Sequence, residues 1–579
     1  MPPDAPNLLG PFELRERIGE GSMGAVHRGR HLETGVDVAL KLVAHGGDDE
    51  QRQLFRREVQ SHAALSHPGV VYLFDYGEVP AGSDAPREHA ASYLAMELAD
   101  EGTIREQMPF SNWPTIRDVL SQVLDALAYA HARGVVHRDL KPENLLVFGD
   151  SSGEPAEHTI KLADFGFAHA FSRERDLRDS ELGEMAGTPR YMAPEQVRGN
   201  WRRYGPWTDL YALGCIAYEI VCDRPAFQAD DAYGYALRHC TRQRPALEPR
   251  FDVPEQLEDW IRRMMAREPD QRFRRAADAV AALPGSPIDD PNRPGSWRTE
   301  RVEQLPLPIV GTGLDLFGLR EVPFVGRDAE RDRIWEAFER LHRGESPQLV
   351  LVAGRAGAGK SRLAEWMVTR ADEMGAASLL RASHSASGGD ADGLAGMVRR
   401  TFHTWGLERG ELHAYLLDAL PPLDEQDSLR ESDARALTEY LRPTDDDAET
   451  VDGPRYRFAD ADQKWTLLQR LLRRLWRRRP LALWLDDLQW GRETIDFVDH
   501  LLTHEEQTPP ILCVATLRSD ILDEQPHVAA HTDELEQAAT STRIDLDALD
   551  PGEHRLLIDR LLALEEQLAE HLADRTEGN

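Results

Sequence analysis

The sequence predicts a multi-domain protein in which an α+β unit precedes an α/β unit built on a parallel sheet. The chain of 579 residues is too long for one hydrophobic core, since domains hold about 150 residues on average. Its first half is strand-rich and then helix-rich, whereas its second half alternates buried strand-like runs with longer helical patterns. A segment rich in proline, glycine and charge separates the halves and predicts a linker.

The predicted organisation has four parts, which are a flexible N-terminus over residues 1–11, a domain over 12–283, a linker over 284–321 and a domain over 322–579 with a helical C-terminal tail. The strand-like runs of the last part are QLVLVAG, LALWLDD and ILCVATL. Parallel strands need crossover connections, which the intervening helical patterns supply. We therefore expect a parallel sheet there.

Composition excludes several classes of protein. A net charge of −33 argues against nonspecific nucleic-acid binding, and it fits either a need for solubility or a salt-rich cytoplasm. No uninterrupted apolar run reaches the ~18 residues of a membrane span, and the N-terminus does not resemble a secretory signal. The four cysteines form no C-x-x-C pair, which favours a reducing cytoplasm.

A glycine-rich stretch, IGEGSMGAVHRG, begins at Ile18 and is followed by VALK, which ends at Lys41. The glycines predict either a simple turn between strands or a flap whose backbone N–H groups approach a phosphate. Lys41 alone would be a solvated charge, but beside such a flap it is a candidate phosphate ligand. Glu58, on a predicted helix with an apolar inner face, could orient Lys41 or remain an exposed charge.

Two further stretches, VVHRDLKPENLL and LADFGFA, complete a candidate phosphoryl-transfer site. Asp139 could accept the proton of an attacking hydroxyl, and Lys141 could steady the transferred phosphate. Asn144 and Asp164 carry the oxygen ligands that Mg²⁺ prefers. Phosphoryl transfer needs positioned phosphates, Mg²⁺ and a group that orients the nucleophile, and this set supplies all three.

These motifs make residues 12–283 similar to the eukaryotic-type protein kinase family, in its bacterial branch. The resemblance implies a bilobal α+β protein-kinase fold with ATP and Mg²⁺ between the lobes. It also implies that Lys41 pairs with Glu58, that Asp209 braces the catalytic loop and that Arg272 pairs with Glu195. The nucleotide would be bounded by Ile18, Gly19, Gly21, Gly24, Val26 and Ala39, with Met96 as gatekeeper and the backbone of Glu97 and Leu98 reading adenine.

The resemblance also indicates the acceptor. Lys141 after the catalytic aspartate and Thr188 before PRYMAPE are similar to Ser/Thr kinases rather than Tyr kinases. All catalytic positions are filled, so an active kinase is favoured over a pseudokinase.

The activation segment offers phosphorylation sites that Arg138 could bind. Ser180 is the first candidate, followed by Ser172 and Thr188. Glu181 and Glu184 could instead supply part of the negative charge, or the acidic residues could form a solvated loop.

The second half contains LVLVAGRAGAGKSRL, a strand, a glycine-rich turn and a helix. Gly354, Gly359, Lys360 and Ser361 fit the P-loop pattern, in which backbone N–H groups cradle phosphates, the lysine reaches the outer phosphates and the hydroxyl binds Mg²⁺. The alternative is an ordinary strand-to-helix turn.

Two later strands supply its partners. In LALWLDDLQW, Asp486 would hold Mg²⁺ and Asp487 could polarise an attacking water. In ILCVATLRSD, Arg518 is a candidate sensor of the γ-phosphate.

With FVGRDAERDRIWEAF, these residues resemble the STAND-type AAA-like ATPases of bacterial regulators. That resemblance implies a nucleotide-dependent switch with slow hydrolysis, often followed by a winged-helix element and helical repeats. Here an acidic helical tail follows instead, so the protein is either a short version or relies on a separate sensor partner.

Two helical stretches leave their roles open. LLQRLLRRLWRRRP could touch an acidic partner or nucleic acid, or could form a helix with leucines inward and arginines outward. The tail IDRLLALEEQLAEHLADR could pair with a second chain or dock on its own.

The sequence thus predicts a cytoplasmic Ser/Thr protein kinase that transfers the ATP γ-phosphate to protein hydroxyls under the control of a fused ATPase. Its expected partners are protein substrates, a possible sensor protein and a possible second copy of the chain, without nucleic acid or membrane. The alternatives are a nucleotide-switched scaffold and a defence-type assembly protein with weak kinase activity.

Overall fold

The structure is a computed structural model of the 579-residue chain. It describes residues 8–21, 24–44, 55–56, 59–78, 90–149, 158–165, 189–285, 309, 312–313, 316, 318–320, 324–345, 347–424, 426–444, 456–476, 479–538 and 540–562. These residues fall into two compact units, with residues 8–285, 309–320 and 555–562 in the first and 324–554 in the second.

The first unit begins with an antiparallel six-stranded sheet that forms its small lobe. The strands are β1 Leu8–Leu9, β2 Phe12–Gly21, β3 Gly24–His31, β4 Asp37–Ala44, β5 Leu73–Glu78 and β6 Ala90–Met96, in the order β1-β2-β3-β4-β6-β5. The glycine-rich stretch is the β2–β3 hairpin, with Gly21 opposite Gly24. This order leaves β5 at one edge of the sheet.

The register of this sheet places the predicted nucleotide contacts on one face. Val26 lies opposite Lys41, and Ala39 lies opposite Met96. Directly opposed residues share a face, and so do residues two apart on one strand, so Val26, Lys41, Ala39 and Met96 line the same side. The other side is a separate apolar cluster that includes Leu40.

The large lobe of the first unit is mainly helical. Its helices are α1 Ile104–Gln107, α2 Trp113–Ala132, α3 Pro194–Val197, α4 Pro206–Cys222, α5 Ala232–Thr241, α6 Gln256–Met264 and α7 Ala276–Ala281, beside a two-stranded sheet of β7 Leu145–Phe148 and β8 Thr159–Leu162. α4 is buried along nearly its whole length, Cys215 and Cys222 included. A helix that is apolar all round belongs in the interior, so α4 forms the centre of this lobe.

The second unit contains a five-stranded, fully parallel sheet, as predicted. The strands are β9 Gln348–Gly354, β10 Ser378–Ser383, β11 Leu481–Asp486, β12 Ile511–Arg518 and β13 Ser541–Leu546, in the order β10-β11-β12-β9-β13. The helices are α8 Asp328–His342, α9 Lys360–Glu373, α10 Gly393–Phe402, α11 Arg409–Ala419, α12 Arg430–Leu441, α13 Ala461–Leu475, α14 Arg492–Thr503, α15 Ser519–Glu524 and α16 Pro526–Glu536. The last helix that the structure describes is α17 Pro551–Leu562, of which residues 555–562 belong to the first unit. β9, β11 and β12 are the three runs singled out in the sequence.

The structure differs from the sequence-based expectations at three apolar residues. The sequence predicts a flexible N-terminus at Leu9 and a linker at Ile309 and Leu316. The structure buries all three against the small lobe, because apolar side chains there complete its two clusters.

The basic run LLQRLLRRLWRRRP agrees only in part with the predicted helix that has leucines inward and arginines outward. In α13 four leucines are buried and Leu475 is partly buried, as the helical alternative predicts, and Arg473 is exposed. Arg474 is buried, so the expectation that the arginines all face outward is wrong at this position. Its guanidinium contacts the carboxylates of Asp427 and Asp433, which makes burial of the charge tolerable.

Within the part of the chain that the structure describes, no helix combines the length and the apolar character needed to cross a membrane.

Candidate functional site

Lys41 and Asp164 meet at the centre of the first site, although 123 positions separate them in sequence. β4 presents Lys41 on the side predicted to face the nucleotide, and its Nζ donates to Asp164 Oδ1 at 2.6 Å. Burial by itself would raise the pKa of Asp164, but the charge and hydrogen bond of Lys41 outweigh it and hold that pKa below its usual value. Asp164 is therefore ionised at neutral pH and fit to bind a cation.

The catalytic loop brings Asp139, Lys141 and Asn144 together. Lys141 Nζ donates to Asp139 Oδ2 at 2.8 Å, and Asn144 Nδ2 donates to the backbone oxygen of Asp139 at 2.9 Å. With its amide NH₂ used in this way, Asn144 presents its side-chain oxygen for another partner. A short 3-10 turn over Pro142–Asn144 fixes the spacing of these groups.

The buried carboxylate of Asp209 braces this loop, as the resemblance implies. It accepts hydrogen bonds from the backbone N–H groups of His137 and Arg138, each at 2.8 Å, and contacts His131 Nε2 at 2.8 Å. Arg138 has a φ of 67°, a conformation that non-glycine residues rarely adopt. The anchor on α4 thus holds a strained backbone directly before Asp139.

The flap and the adjoining chain explain two sequence features. Gly24 has a φ of 149°, and a Cβ there would lie 1.8 Å from the backbone oxygen of Leu42, so only glycine permits this approach of β3 to β4.

The backbone N–H of Glu97 donates to the Tyr72 backbone oxygen at 3.0 Å. That amide is therefore not available to adenine, which leaves the Glu97 carbonyl and the Leu98 backbone for the predicted role.

The side chain of Glu97 has a structural role that the sequence did not reveal. Its carboxylate accepts hydrogen bonds from the Tyr72 backbone N–H at 2.7 Å and from Lys161 Nζ at 2.6 Å. These contacts tie the segment between the lobes to β8 and to the chain before β5.

The structure places the remaining residues of the predicted nucleotide site as follows. Ile18 and Gly19 lie on β2 with Ile18 exposed, Gly21 ends β2, Val26 lies on β3, Ala39 lies on β4 and Met96 ends β6. Glu58 lies outside the described residues, and so do Ser172, Ser180, Thr188, Glu181 and Glu184. Arg272 binds Glu195 through two hydrogen bonds of 2.8 and 2.9 Å, as the resemblance implies.

The P-loop residues of the second unit connect β9 to α9. Gly354 ends the strand, Gly359 has a φ of 91°, and Lys360 and Ser361 open the helix. Lys360 Nζ donates to the backbone oxygen of Arg355 at 2.6 Å. Burial lowers the pKa of Lys360, with the Asp487 carboxylate opposing the shift. The site thus combines a helix N-terminus with a buried lysine, an arrangement suited to anions.

Two aspartates at the end of β11 are held by a residue that sequence reasoning missed. Thr516 Oγ1 donates to Asp486 Oδ1 and accepts from the Asp487 backbone N–H, both at 2.8 Å. Gln489 Nε2 donates to Asp487 Oδ1 at 2.9 Å. The available signal was a lone threonine in the apolar run ILCVATL, since a buried hydroxyl needs a partner.

Arg518 ends β12 beside these groups. Its backbone N–H donates to Gln489 Oε1 at 3.2 Å, and its guanidinium donates to Asp520 Oδ2 at 2.6 Å. Asp520 raises the pKa of Arg518 through this hydrogen bond. The side chain is thus held by a neighbour on α15, and its guanidinium keeps further N–H donors for a phosphate.

Both donor sets suit ATP and Mg²⁺. The first site offers the carboxylate of Asp164 and the amide oxygen of Asn144, beside a lysine that can meet phosphate charge. The second offers Ser361 and Asp486 beside Lys360. Mg²⁺ in nucleotide sites takes one or two such protein ligands and completes its shell with phosphate oxygens and water, so neither site needs a larger cluster.

Comparison with known proteins identifies both units. A protein kinase domain matches residues 12–282, and an AAA ATPase domain matches residues 323–514. The serine/threonine-protein kinase pkn3 of Myxococcus xanthus is 33% identical over 274 residues, which cover 45% of this chain and 47% of that protein. PknB of Mycolicibacterium smegmatis is 32% identical over 280 residues, with 47% and 42% covered.

PknA of Mycobacterium tuberculosis is 34% identical over 284 residues, which cover 48% of this chain and 62% of that protein. The chain spans about half the length of the curated relatives it matches.

The chain therefore consists of a protein kinase domain followed by an AAA ATPase domain with a parallel sheet. It is related to the bacterial serine/threonine-protein kinases. Both resemblances stated from the sequence are confirmed at this level, and membership in the STAND group stays a prediction.

Proposed function

We propose that the chain is a serine/threonine protein kinase that transfers the γ-phosphate of ATP to protein hydroxyls. The observation that carries this proposal is the convergence of Asp139, Lys141, Asn144, Lys41 and Asp164, with Asp139 held 2.8 Å from Lys141 and Asp164 held 2.6 Å from Lys41. These acidic, basic and amide side chains come from distant parts of the sequence, and their convergence has no evident role in stabilising the fold. Together they supply the groups that phosphoryl transfer needs.

Each residue then has a defined task. Asp139 accepts the proton of the attacking hydroxyl, and Lys141 compensates the charge on that carboxylate and on the transferred group. Lys41 and the β2–β3 flap orient the α- and β-phosphates. Asn144 and Asp164 would hold Mg²⁺, which neutralises charge on the phosphate oxygens when bound. The Asp209 brace keeps the loop in position before substrate arrives, which reduces reorganisation during the reaction.

The AAA ATPase domain is proposed to regulate this activity through its nucleotide state. Support comes from the complete P-loop set, in which Lys360, Ser361 and Asp486 accompany the kinase site on one chain. Hydrolysis would use Asp487 to polarise water, with Gln489 holding that carboxylate in place and Thr516 accepting a hydrogen bond from the Asp487 backbone N–H. We further propose that the chain acts on protein substrates, binds a sensor partner, associates with itself and works in the cytoplasm.

The test is phosphate incorporation from labelled ATP into the purified chain and a generic acceptor protein. Asp139→Asn keeps the side-chain shape but removes the base, so kcat should fall by about 10²–10⁴-fold. Asp270→Asn, at an exposed aspartate of the same lobe, is the matched control and should retain activity. Equal label in wild type and Asp139→Asn would refute the kinase proposal.

Lys360→Ala tests the regulatory part in the same assay. We expect a change in kinase rate when nucleotide can no longer bind the P-loop. An unchanged rate with and without added candidate activators would leave the kinase proposal intact and reject regulation by this domain.

A further inference from the structure

A short segment between the two domains is part of the kinase small lobe. We call the described residues 309, 312–313, 316 and 318–320 the strap. Ile309 is almost fully buried against the face of the sheet that points away from the nucleotide site. Its apolar cluster also contains Leu9, Phe12, Val38, Leu40, Leu42, Phe74, Tyr93 and Ala95.

The strap then covers the free edge of the sheet. β5 is an edge strand, and such strands leave backbone polar groups without a strand partner. Arg320 Nη2 donates to the backbone oxygens of Leu73 at 2.8 Å and Phe74 at 3.0 Å, and the Gly313 N–H donates to Asp75 Oδ1 at 3.1 Å. The guanidinium of Arg320 also lies 5.0 Å from the Tyr72 ring centroid. The segment is thus attached by directional contacts as well as apolar ones.

Beyond the edge, the strap reaches the face of the sheet that carries the nucleotide contacts. Leu316 is fully buried in a cluster that includes Val59, Leu73, Met96 and Ala163. Two of these residues adjoin predicted catalytic groups in sequence, since Val59 follows Glu58 and Ala163 precedes Asp164. Leu316 therefore completes the packing directly behind the kinase site.

The helical residues 59–63 connect this cluster to the catalytic loop. His62 Nε2 contacts the Val71 backbone oxygen at 2.8 Å, and its ring lies 5.9 Å from the Phe165 ring. Phe165 in turn lies 4.7 Å from the ring of His137. A change in the packing around Val59 would thus displace Phe165, the residue next to Asp164, because closely packed interiors transmit displacement.

The strap is also joined closely to the ATPase domain in sequence. Arg320 is four residues before Phe324, where the described part of the second unit begins. Four Cα steps span at most about 15 Å. A nucleotide-dependent movement that carried Phe324 beyond this span would therefore displace Arg320.

We propose that the strap is an intramolecular activating element that the ATPase domain seats on, or withdraws from, the kinase small lobe. The seated strap supports Val59 and β5 and raises the kinase rate, and its withdrawal loosens the packing behind Asp164. Leu316 and Arg320 act as positioning residues. This inference rests on the proposed regulation of the kinase by the P-loop domain and names the physical link.

The test is a double-mutant cycle on the full chain. Leu316→Ala and Arg320→Ala are each combined with Lys360→Ala. Leu32→Ala is the matched control, because Leu32 is an exposed leucine of the same lobe. Each strap variant should lower kcat by about tenfold, and Lys360→Ala should then have no additional effect. Leu316→Met conserves volume and should retain both activity and the response to Lys360→Ala. Circular dichroism checks folding, and Arg320→Ala serves as the surface variant if Leu316→Ala unfolds.

The outcomes separate the two proposals. If Lys360→Ala changes the kinase rate by the same factor in wild type and in the strap variants, the strap is not the link, although regulation stands. If Lys360→Ala has no effect in any background, regulation fails and the strap proposal fails with it.

Hydrogen exchange provides a readout independent of kinase activity. With ATP and Mg²⁺ present, wild type and Lys360→Ala should differ several-fold in exchange at Gly313 and along β5, while the exchange of α4 stays the same. Equal exchange at Gly313 in the two proteins would overturn the proposal.

Discussion

His239 shows how burial sets the charge of a single residue in the kinase domain. One ring nitrogen lies 3.0 Å from the Arg190 backbone oxygen and the other 2.8 Å from the Tyr211 hydroxyl. Burial, the dominant effect, lowers the pKa of His239 to about 4, although the hydrogen bonds to backbone oxygens favour the charged form. The residue is therefore neutral in the folded protein at every pH above about 4.

This pKa predicts a pH-dependent stability of the kinase domain. Below the ordinary histidine value near 6.5 the unfolded state binds a proton that the folded state refuses, so stability falls as the pH drops from about 6.5 to 4. The contribution of His239 over that window is roughly 2–3 kcal/mol. His239→Gln should remove it, as measured by urea unfolding with pulse-labelling mass spectrometry of α4 peptides.

His158→Gln is the control for this measurement, because the His158 side chain is 58% exposed. It should leave the pH dependence nearly unchanged. The assignment would be wrong if His239→Gln and wild type lost stability in parallel as the pH fell.

At the same scale, residues within contiguous motifs were predictable and isolated ones were not. Asp139, Lys141 and Asn144 share one loop, so their spacing already indicates convergence. The Glu97 carboxylate and Thr516 act through partners far away in sequence, 64 and 30 positions from Lys161 and Asp486. Only the folded chain reveals such pairs, because the sequence does not specify which distant groups meet.

At the scale of elements, α13 gives a test based on two neighbouring arginines. Arg474 is buried between Asp427 and Asp433, whereas Arg473 is exposed on the same helix. Arg474→Met would leave buried carboxylates poorly compensated and should reduce the free energy of unfolding by about 3–5 kcal/mol. Arg473→Met should change it by no more than about 0.5 kcal/mol.

Urea unfolding is followed by pulse-labelling mass spectrometry of peptides from α13 and β11. These peptides report the unfolding of the second unit separately from that of the kinase domain. Equal losses for Arg473→Met and Arg474→Met would contradict the structural role assigned to Arg474. The pair also separates stability from recognition, since a partner that binds the basic run would be weakened by Arg473→Met without loss of folding.

The elements that the sequence predicted best are those buried on both faces. β9, β11 and β12 are continuous apolar runs because neighbouring strands and helices cover them on every side. β10 and β13, read SLLRAS and STRIDL, lie at the sheet edges and keep polar residues that hide the strand pattern. The strap was not predicted for a related reason, since Ile309 and Leu316 lie in a glycine-interrupted stretch, PIVGTGLDLFG, and their burial depends on the surface of the small-lobe sheet.

At the scale of the whole molecule, a chain of net charge −33 is expected to bind two nucleotide polyanions. Repulsion from that charge must be overcome locally, and Lys41 and Lys360 are the buried cations positioned to do so. Truncating one partner of a buried charge pair weakens binding by about 2–5 kcal/mol. Lys41→Ala and Lys360→Ala should therefore each abolish one of the two nucleotide sites. Titration calorimetry with a nonhydrolysable ATP analogue and Mg²⁺ measures the number of sites that remain. Lys464→Ala, outside both sites, should retain two. A Lys360→Ala chain that still bound two nucleotides with unchanged affinity would show that the P-loop is not a nucleotide site, and the case for a nucleotide-regulated kinase would then lose its physical basis.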